Sequence, residues 1–245
     1  MSIRTDMAAE SFSQAGGAEK LQGVKVKNKV IENARLEVTD ITIETQKAAE
    51  KLGRPVGRYI TLTATDSTFD MYSDSFRERA EVIAKAIGEL CGGCERFLAV
   101  GLGNYALTSD AVGPLTAEKI FATRHIKSLA KELDTDDLGE VTVIQTGVLG
   151  NTGIESSEQV KAIAERVRPQ AVIAVDALAC SELSNLGRTI QLCNTGISPG
   201  SGVENARKEL SLSTLGVKCI AIGVPTVIDL SLIHISEPTR PISIS

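Results

Sequence analysis

The chain has 245 residues, 42% of them hydrophobic, with a formal net charge of -5, which is material for one large domain with a real core. The acidic balance excludes a nonspecific nucleic-acid binder, which presents a basic surface, so no direct nucleic-acid partner is expected. Aromatics are only 3% and Trp is absent, so the core must be aliphatic, which suits parallel strands buried on both faces.

No apolar run approaches ~18 residues, so no membrane span or membrane partner is expected. The start, "MSIRTDMAAE", lacks the apolar stretch of a secretory signal. Cys91, Cys94, Cys180, Cys193 and Cys219 are an odd set, and with no signal they imply free thiols in a reducing cytoplasm.

In chain order, the segment up to Lys20 reads as loose. "VKVKNKVIEN", "ARLEVTDITIET" and "GRYITLTATD" alternate or are β-branched, and predict strands of an antiparallel or mixed sheet. Ser73 to Leu90 has apolar residues at helical spacing. "RFLAVGLGN" predicts a buried strand, and "PLTAEKIFATRHIKSLAKEL" one helix with Pro114 at its start. "EVTVIQTGV" predicts a strand, and "SSEQVKAIAERVRP" a helix with a Ser-x-x-Gln start and a proline stop. "QAVIAVDAL", "RTIQLCNTG" and "VKCIAIGVPTVI" are further strands. Strands alternating with helices predict a three-layer α/β/α fold with a mostly parallel mixed sheet, preceded by an N-terminal β-rich segment. Chemistry in such sheets gathers at the carboxyl ends of strands.

The stretch Gly101 to Ala106 matches G-x-G-x-x-G/A after a strand. A dinucleotide turn needs its helix to begin at once, and Pro114 puts the helix start too late. Asp110 in that turn has a counterpart in Asp176, which follows five apolar residues at the end of a predicted strand. A carboxylate there costs desolvation, which suggests a use. If the two strands are neighbours, the carboxylates converge, one pKa rises, and an acid and a base coexist at one pH.

Other segments offer support or nothing. "GVLGNTGIESSE", Gly147 to Glu158, brings the backbone of Gly150, Thr152 and Gly153 to a strand end, while Glu155 reads as an N-cap. In "NTGISPGSGVENARKEL", Gly200 and Gly202 make a turn full of backbone donors, and Arg207 and Lys208 read as a solvated helix face. Either glycine turn is a candidate to steady an oxyanion. Cys91-Gly92-Gly93-Cys94 is a lone C-x-x-C without two further zinc ligands, and the other thiols read as core packing. His125 lies on a predicted helix with no nucleophile elbow to serve.

Taken together, "SIRTDMAAE", "GLGNYALTSDAVGP", "TRH", "GVLGNTGIESSE", "AVIAVDALA", "TIQLCNTGISPGSGVENARKELS" and "IAIGVPTVID" resemble the germination proteases of spore-forming Firmicutes, from Ile3 to Asp229. The resemblance implies an atypical aspartic-type endopeptidase of the forespore or spore core that initiates degradation of small acid-soluble spore proteins. It implies catalysis by Asp110 and Asp176 without cofactor or resident metal, a self-processing zymogen, and a homotetramer. It implies a fold like that of hydrogenase maturation proteases. Those bind nickel, so a nickel-dependent peptidase with Asp110, Asp176 and His125 as ligands is the alternative. Family substrates are cut at a Thr-Glu-hydrophobic-Ala-x-Glu-like site, and Thr5-Asp6-Met7-Ala8-Ala9-Glu10 has the same order. A cut between Asp6 and Met7 follows, with Met1 to Asp6 as propeptide and a peptidase domain over 7–229. The tail "LSLIHISEPTRPISIS" breaks off a βα unit and resembles translated sequencing-adaptor sequence, so 230–245 is set aside as a scar. On that expectation the peptidase domain is truncated, and an inactive fragment is a further alternative.

Overall fold

The computed structural model describes residues 5–16, 21–66, 68–129, 138–198 and 209–228. The β-branched segments near the start pair as antiparallel neighbours: β1 (Val24–Ile31) on β2 (Leu36–Ile43), and β2 on β3 (Gly57–Ala64). β1 is an outer strand and turns Lys25, Lys27 and Lys29 to solvent, which disfavours pairing with another chain. Two short helices accompany this part, α1 (Ala8–Gln14) and α2 (Gln46–Leu52). α2 is capped by Thr45, which accepts from Ala48 N–H at 3.3 Å, and closed by Gly53.

Strands and helices then alternate: α3 (Phe76–Cys91), β4 (Arg96–Leu102), α4 (Val112–Lys119), α5 (Arg124–Leu129), β5 (Glu140–Gly147), α6 (Leu149–Thr152) and α7 (Ser156–Val167). β6 (Ala171–Cys180), β7 (Thr189–Cys193), α8 (Leu212–Leu215) and β8 (Lys218–Ile228) follow. The described strands form one eight-stranded sheet, ordered β1-β2-β3-β7-β8-β6-β4-β5. β8, β6, β4 and β5 run parallel, while β3–β7 and β7–β8 are antiparallel. The N-terminal β-rich segment is thus a wing of the main sheet, attached through β7.

Side chains alternate across each strand and sort the helices into two layers. Leu98, Val100 and Leu102 of β4 pack with Val172 and Ala174 of β6 against Val160 and Ala164 of α7. Phe97, Ala171, Ile173 and Ile220 face the other way, toward Ala86, Leu90 and Cys91 of α3. Ala174, Ala221, Cys193 and Tyr59 lie in register across four strands. That row carries the first face over to α1 and α2, which pack on Ile41, Ile43 and Tyr59. The architecture is the expected α/β/α mixed sheet.

Three local expectations need correction. The helix expected from Pro114 onward is two, broken at Ile120–Thr123. There Thr123 N–H bonds Val141 carbonyl at 3.0 Å, and Thr123 Oγ1 accepts from Val141 N–H at 2.8 Å, so pairing to β5 ends the helix. Residues 5–16 are not loose: Met7 is completely buried and α1 follows it. No capping box opens α7. Glu155 holds the N-cap position without a side-chain bond, and Gln159 reaches instead to Ile154 carbonyl and Thr152 Oγ1.

Candidate functional site

β4 and β6 are direct parallel neighbours, with Gly101 opposite Val175. β4 ends at Leu102 while β6 runs on beside β8 to Cys180, so Asp176 lies within β6, just past its last pair with β4, and not at the strand end that the sequence suggested. Asp176 follows Val175, is 5% exposed, and accepts from Ala177 N–H at 2.9 Å. It shares a cross-strand row with Gly223 of β8 and Gln191 of β7, so its side chain points to the face of α1 and α7.

Asp110 enters from the end of β4. The chain turns at Gly103, makes a single 3-10 turn over Thr108–Asp110, and starts α4 at Val112. Asn104 N–H donates to the Asp110 carboxylate at 2.8 Å and to its carbonyl at 3.0 Å, locking the turn. Gly103 has φ 111°, and a Cβ there would fall 2.2 Å from the Asp110 carbonyl oxygen. The glycine is needed on both counts. Gly113 lets α4 close onto the strand ends: a Cβ would fall 2.1 Å from Leu102 O and 2.4 Å from Val175 O. Thr226 of β8 adds a bond from Oγ1 to Ser109 carbonyl at 2.6 Å. The Asp110 turn is therefore pinned to β4, β8 and the residue before Asp176. No phosphate-binding geometry results, because the helix begins well after the glycines.

The N-terminal segment crosses the same end of the sheet. Asp6 N–H donates to Ala179 carbonyl and Ala179 N–H donates to the Asp6 carboxylate, both at 2.9 Å. Met7 is buried with Leu178 and Cys180. Gln191 Nε2 donates to Asp6 carbonyl at 3.0 Å, and its Oε1 accepts from Ala8 N–H. Arg54 donates to Thr5 carbonyl. Glu10, 3% exposed, accepts from Ser181 N–H at 2.9 Å, Ser181 Oγ at 2.6 Å and Asn185 Nδ2 at 2.6 Å. Burial alone would raise the Glu10 carboxyl. The bonds from Ser181, Thr5 and Asn185 outweigh burial and hold it below the usual glutamate range.

Other singled-out residues lie elsewhere. Gly150, Thr152 and Gly153 sit at the end of β5, beyond β4 from β6. The Thr152 and Gly153 amides bond within their own turn, to Val148 and Leu149. Gly200, Gly202, Arg207 and Lys208 fall outside the described residues, as do Asp229, where the expected peptidase domain ends, and residues 230–245, expected as a scar. His125 is exposed on α5. Among the described residues, no three His, Cys, Asp or Glu side chains gather as a metal site. The five thiols are free, and burial pushes Cys219 up to about 12. Gln191, Ser181 and Asn185 were not foreseen as functional. The one available signal was Gln191, a lone amide in the apolar run "TIQLC".

A family model described as germination protease matches residues 3–237. The germination protease of Clostridium tetani is 40% identical over 235 residues, covering 94% of this chain and 71% of that relative. The protein of the same name from Caldanaerobacter subterraneus is 40% identical over 231 residues, covering 94% of this chain and 70% of its own length. The chain belongs to the germination protease family. Like other germination proteases it is a hydrolase of peptide bonds, and no described helix is long and apolar enough to cross a membrane. Among solved structures, a NiFe hydrogenase maturation protease from Thermococcus kodakarensis aligns at TM-score 0.38 and 19% identity, over 59% of this chain and 87% of its own.

Proposed function

We propose that the protein is the endopeptidase that begins degradation of small acid-soluble spore proteins at germination. We further propose that it is made as a zymogen in the forespore, assembles as a homotetramer, and cuts itself between Asp6 and Met7. Family membership supports the substrate, compartment and assembly. One observation carries the chemistry. Asp110 follows the end of β4, Asp176 lies on the neighbouring β6 just past its last pair with β4, and residues 6–8 are held on Ala179 of β6 and Gln191 of β7.

Asp110 and Asp176 work as a pair in which one carboxyl is ionised and the other protonated. The ionised one takes a proton from water. The protonated one polarises the scissile carbonyl and then gives its proton to the leaving nitrogen. Two main-chain bonds support this reading by fixing each carboxylate locally: Asn104 N–H donates to Asp110 and Ala177 N–H to Asp176.

The test is intact-mass analysis of the purified full chain over time. The parent chain loses Met1 to Asp6, whereas Asp110→Asn and Asp176→Asn each keep them with unchanged circular dichroism. Full self-processing in either variant refutes the pair.

A further inference from the structure

Residues 5–10 are held the way a peptide ligand is held. Asp6 exchanges two bonds with Ala179, one through its main chain and one through its carboxylate. Gln191 spans Met7, donating to the carbonyl before it and accepting from the amide after it. A primary amide offers both a donor and an acceptor, so this grip reads backbone rather than side chain. Met7 fills a pocket of Leu178 and Cys180, edged by Leu186, Ile197 and Ile228. Glu10 then reaches the stretch that leaves β6. Ser181 N–H, Ser181 Oγ, Glu182 N–H at 3.2 Å and Asn185 Nδ2 all converge on its carboxylate. None of these donors is cationic, yet together they hold a buried charge, because each bond to an ionised acceptor is stronger than a neutral one.

We infer that this is the groove in which the protein reads its peptide substrates. Gln191 is the main-chain clamp around the residue that follows the cut. Ser181 and Asn185 are the specificity residues that require an acidic side chain three positions further on. The inference rests on the reading that the cut falls between Asp6 and Met7. Gln191 lies two strands from Asp176 on one cross-strand row, so a peptide under the clamp runs over the face that Asp176 serves.

A simple anchoring role would show the same contacts, so the test must read side-chain preference rather than stability. The full chain carrying Glu10→Ala vacates the acid subsite, and Asp110→Asn keeps a peptide whole. Should Glu10→Ala not fold, Glu10→Ser replaces it. The probe is a fluorescent peptide of sequence IRTDMAAESFSQ, compared with the same peptide bearing Gln in place of its Glu, and read by anisotropy. The expected result is at least tenfold tighter binding of the Glu peptide. Ser181→Ala and the isosteric Asn185→Asp should each cut that preference below threefold, and Gln191→Leu should weaken both peptides alike. Equal binding of the two peptides, an unchanged preference in the Ser181 and Asn185 variants, or no binding at all overturns the inference. Cleavage by the chain with Asp110 intact is a separate readout. Selective binding without cleavage keeps the groove and refutes the proposed cut.

Discussion

Replacing Gly113 with alanine tests whether the fit of α4 on the strand ends is what aligns the two aspartates. The new methyl would sit 2.1 Å from Leu102 O, 2.4 Å from Val175 O and 2.6 Å from Leu102 N, all backbone atoms. An ordinary carbon–oxygen contact is about 3.3 Å, so α4 must back away by about 1 Å. Such overpacking costs about 1–3 kcal/mol of stability. The Asp110 turn leads directly into α4 and must move with it, while Asp176 stays on β6. A misplacement of about 1 Å at a catalytic group costs on the order of a hundredfold in rate. Gly150→Ala is the matched control, because a Cβ there meets nothing within 4 Å. The assay is kcat/KM on a peptide spanning Thr5 to Glu10, with thermal melting in parallel. Gly113→Ala should lose about a hundredfold in kcat/KM while remaining folded. Gly150→Ala should match the parent in both. A folded Gly113→Ala protein with parental kcat/KM would refute the claim that this contact sets the pair.

Two further outcomes follow from burial and charge. Glu10 has a folded-state pKa lowered from 4.5, so its clasp contributes stability fully present above 4.5 and lost as pH falls through the lower folded value. Hydrogen exchange of the Ser11 and Ala15 amides should therefore hold steady from neutral down to about pH 5, after correction for intrinsic rates, and lose protection only in more acid solution. In Glu10→Gln that late loss should vanish and protection should be weaker throughout. Among the thiols, Cys94 is half-buried, whereas Cys91, Cys180, Cys193 and Cys219 are buried. Alkylation of the native protein near pH 8 should label Cys94 first and leave Cys219 untouched until denaturation, as peptide mapping would show.

The strands were legible because their signal is local. Alternation in β1 to β3 and the aliphatic runs of β4, β6 and β8 hold whatever surrounds them. That β4 and β6 are neighbours matches the expectation, but Asp176 lies inside β6, because pairing with β8 carries that strand on to Cys180. What escaped depends on distant partners. α1 is short and weakly patterned; its apolar side packs on β2, β3 and α2, and its polar anchors, Ser181, Asn185 and Gln191, lie far along the chain. The break after α4 arises from Thr123 pairing with β5. Ser181 and Asn185 look like ordinary loop residues until Glu10 is set against them. Likewise Ser156 and Gln159 have capping-box spacing, but Gln159 finds better partners in the preceding turn.

The clasp between the start of the chain and the β6–β7 region also dictates an order of events. The bonds that hold Asp6 and Glu10 join residues 171 to 185 positions apart. Contacts of that span form late, since a long loop must close before they give any return. On a ribosome residues 5–10 emerge long before β6, β7 and the loop between them, on which they dock. The bond after Asp6 therefore goes uncaptured until the chain has reached β7, and its capture reports that β6 and β7 have come together.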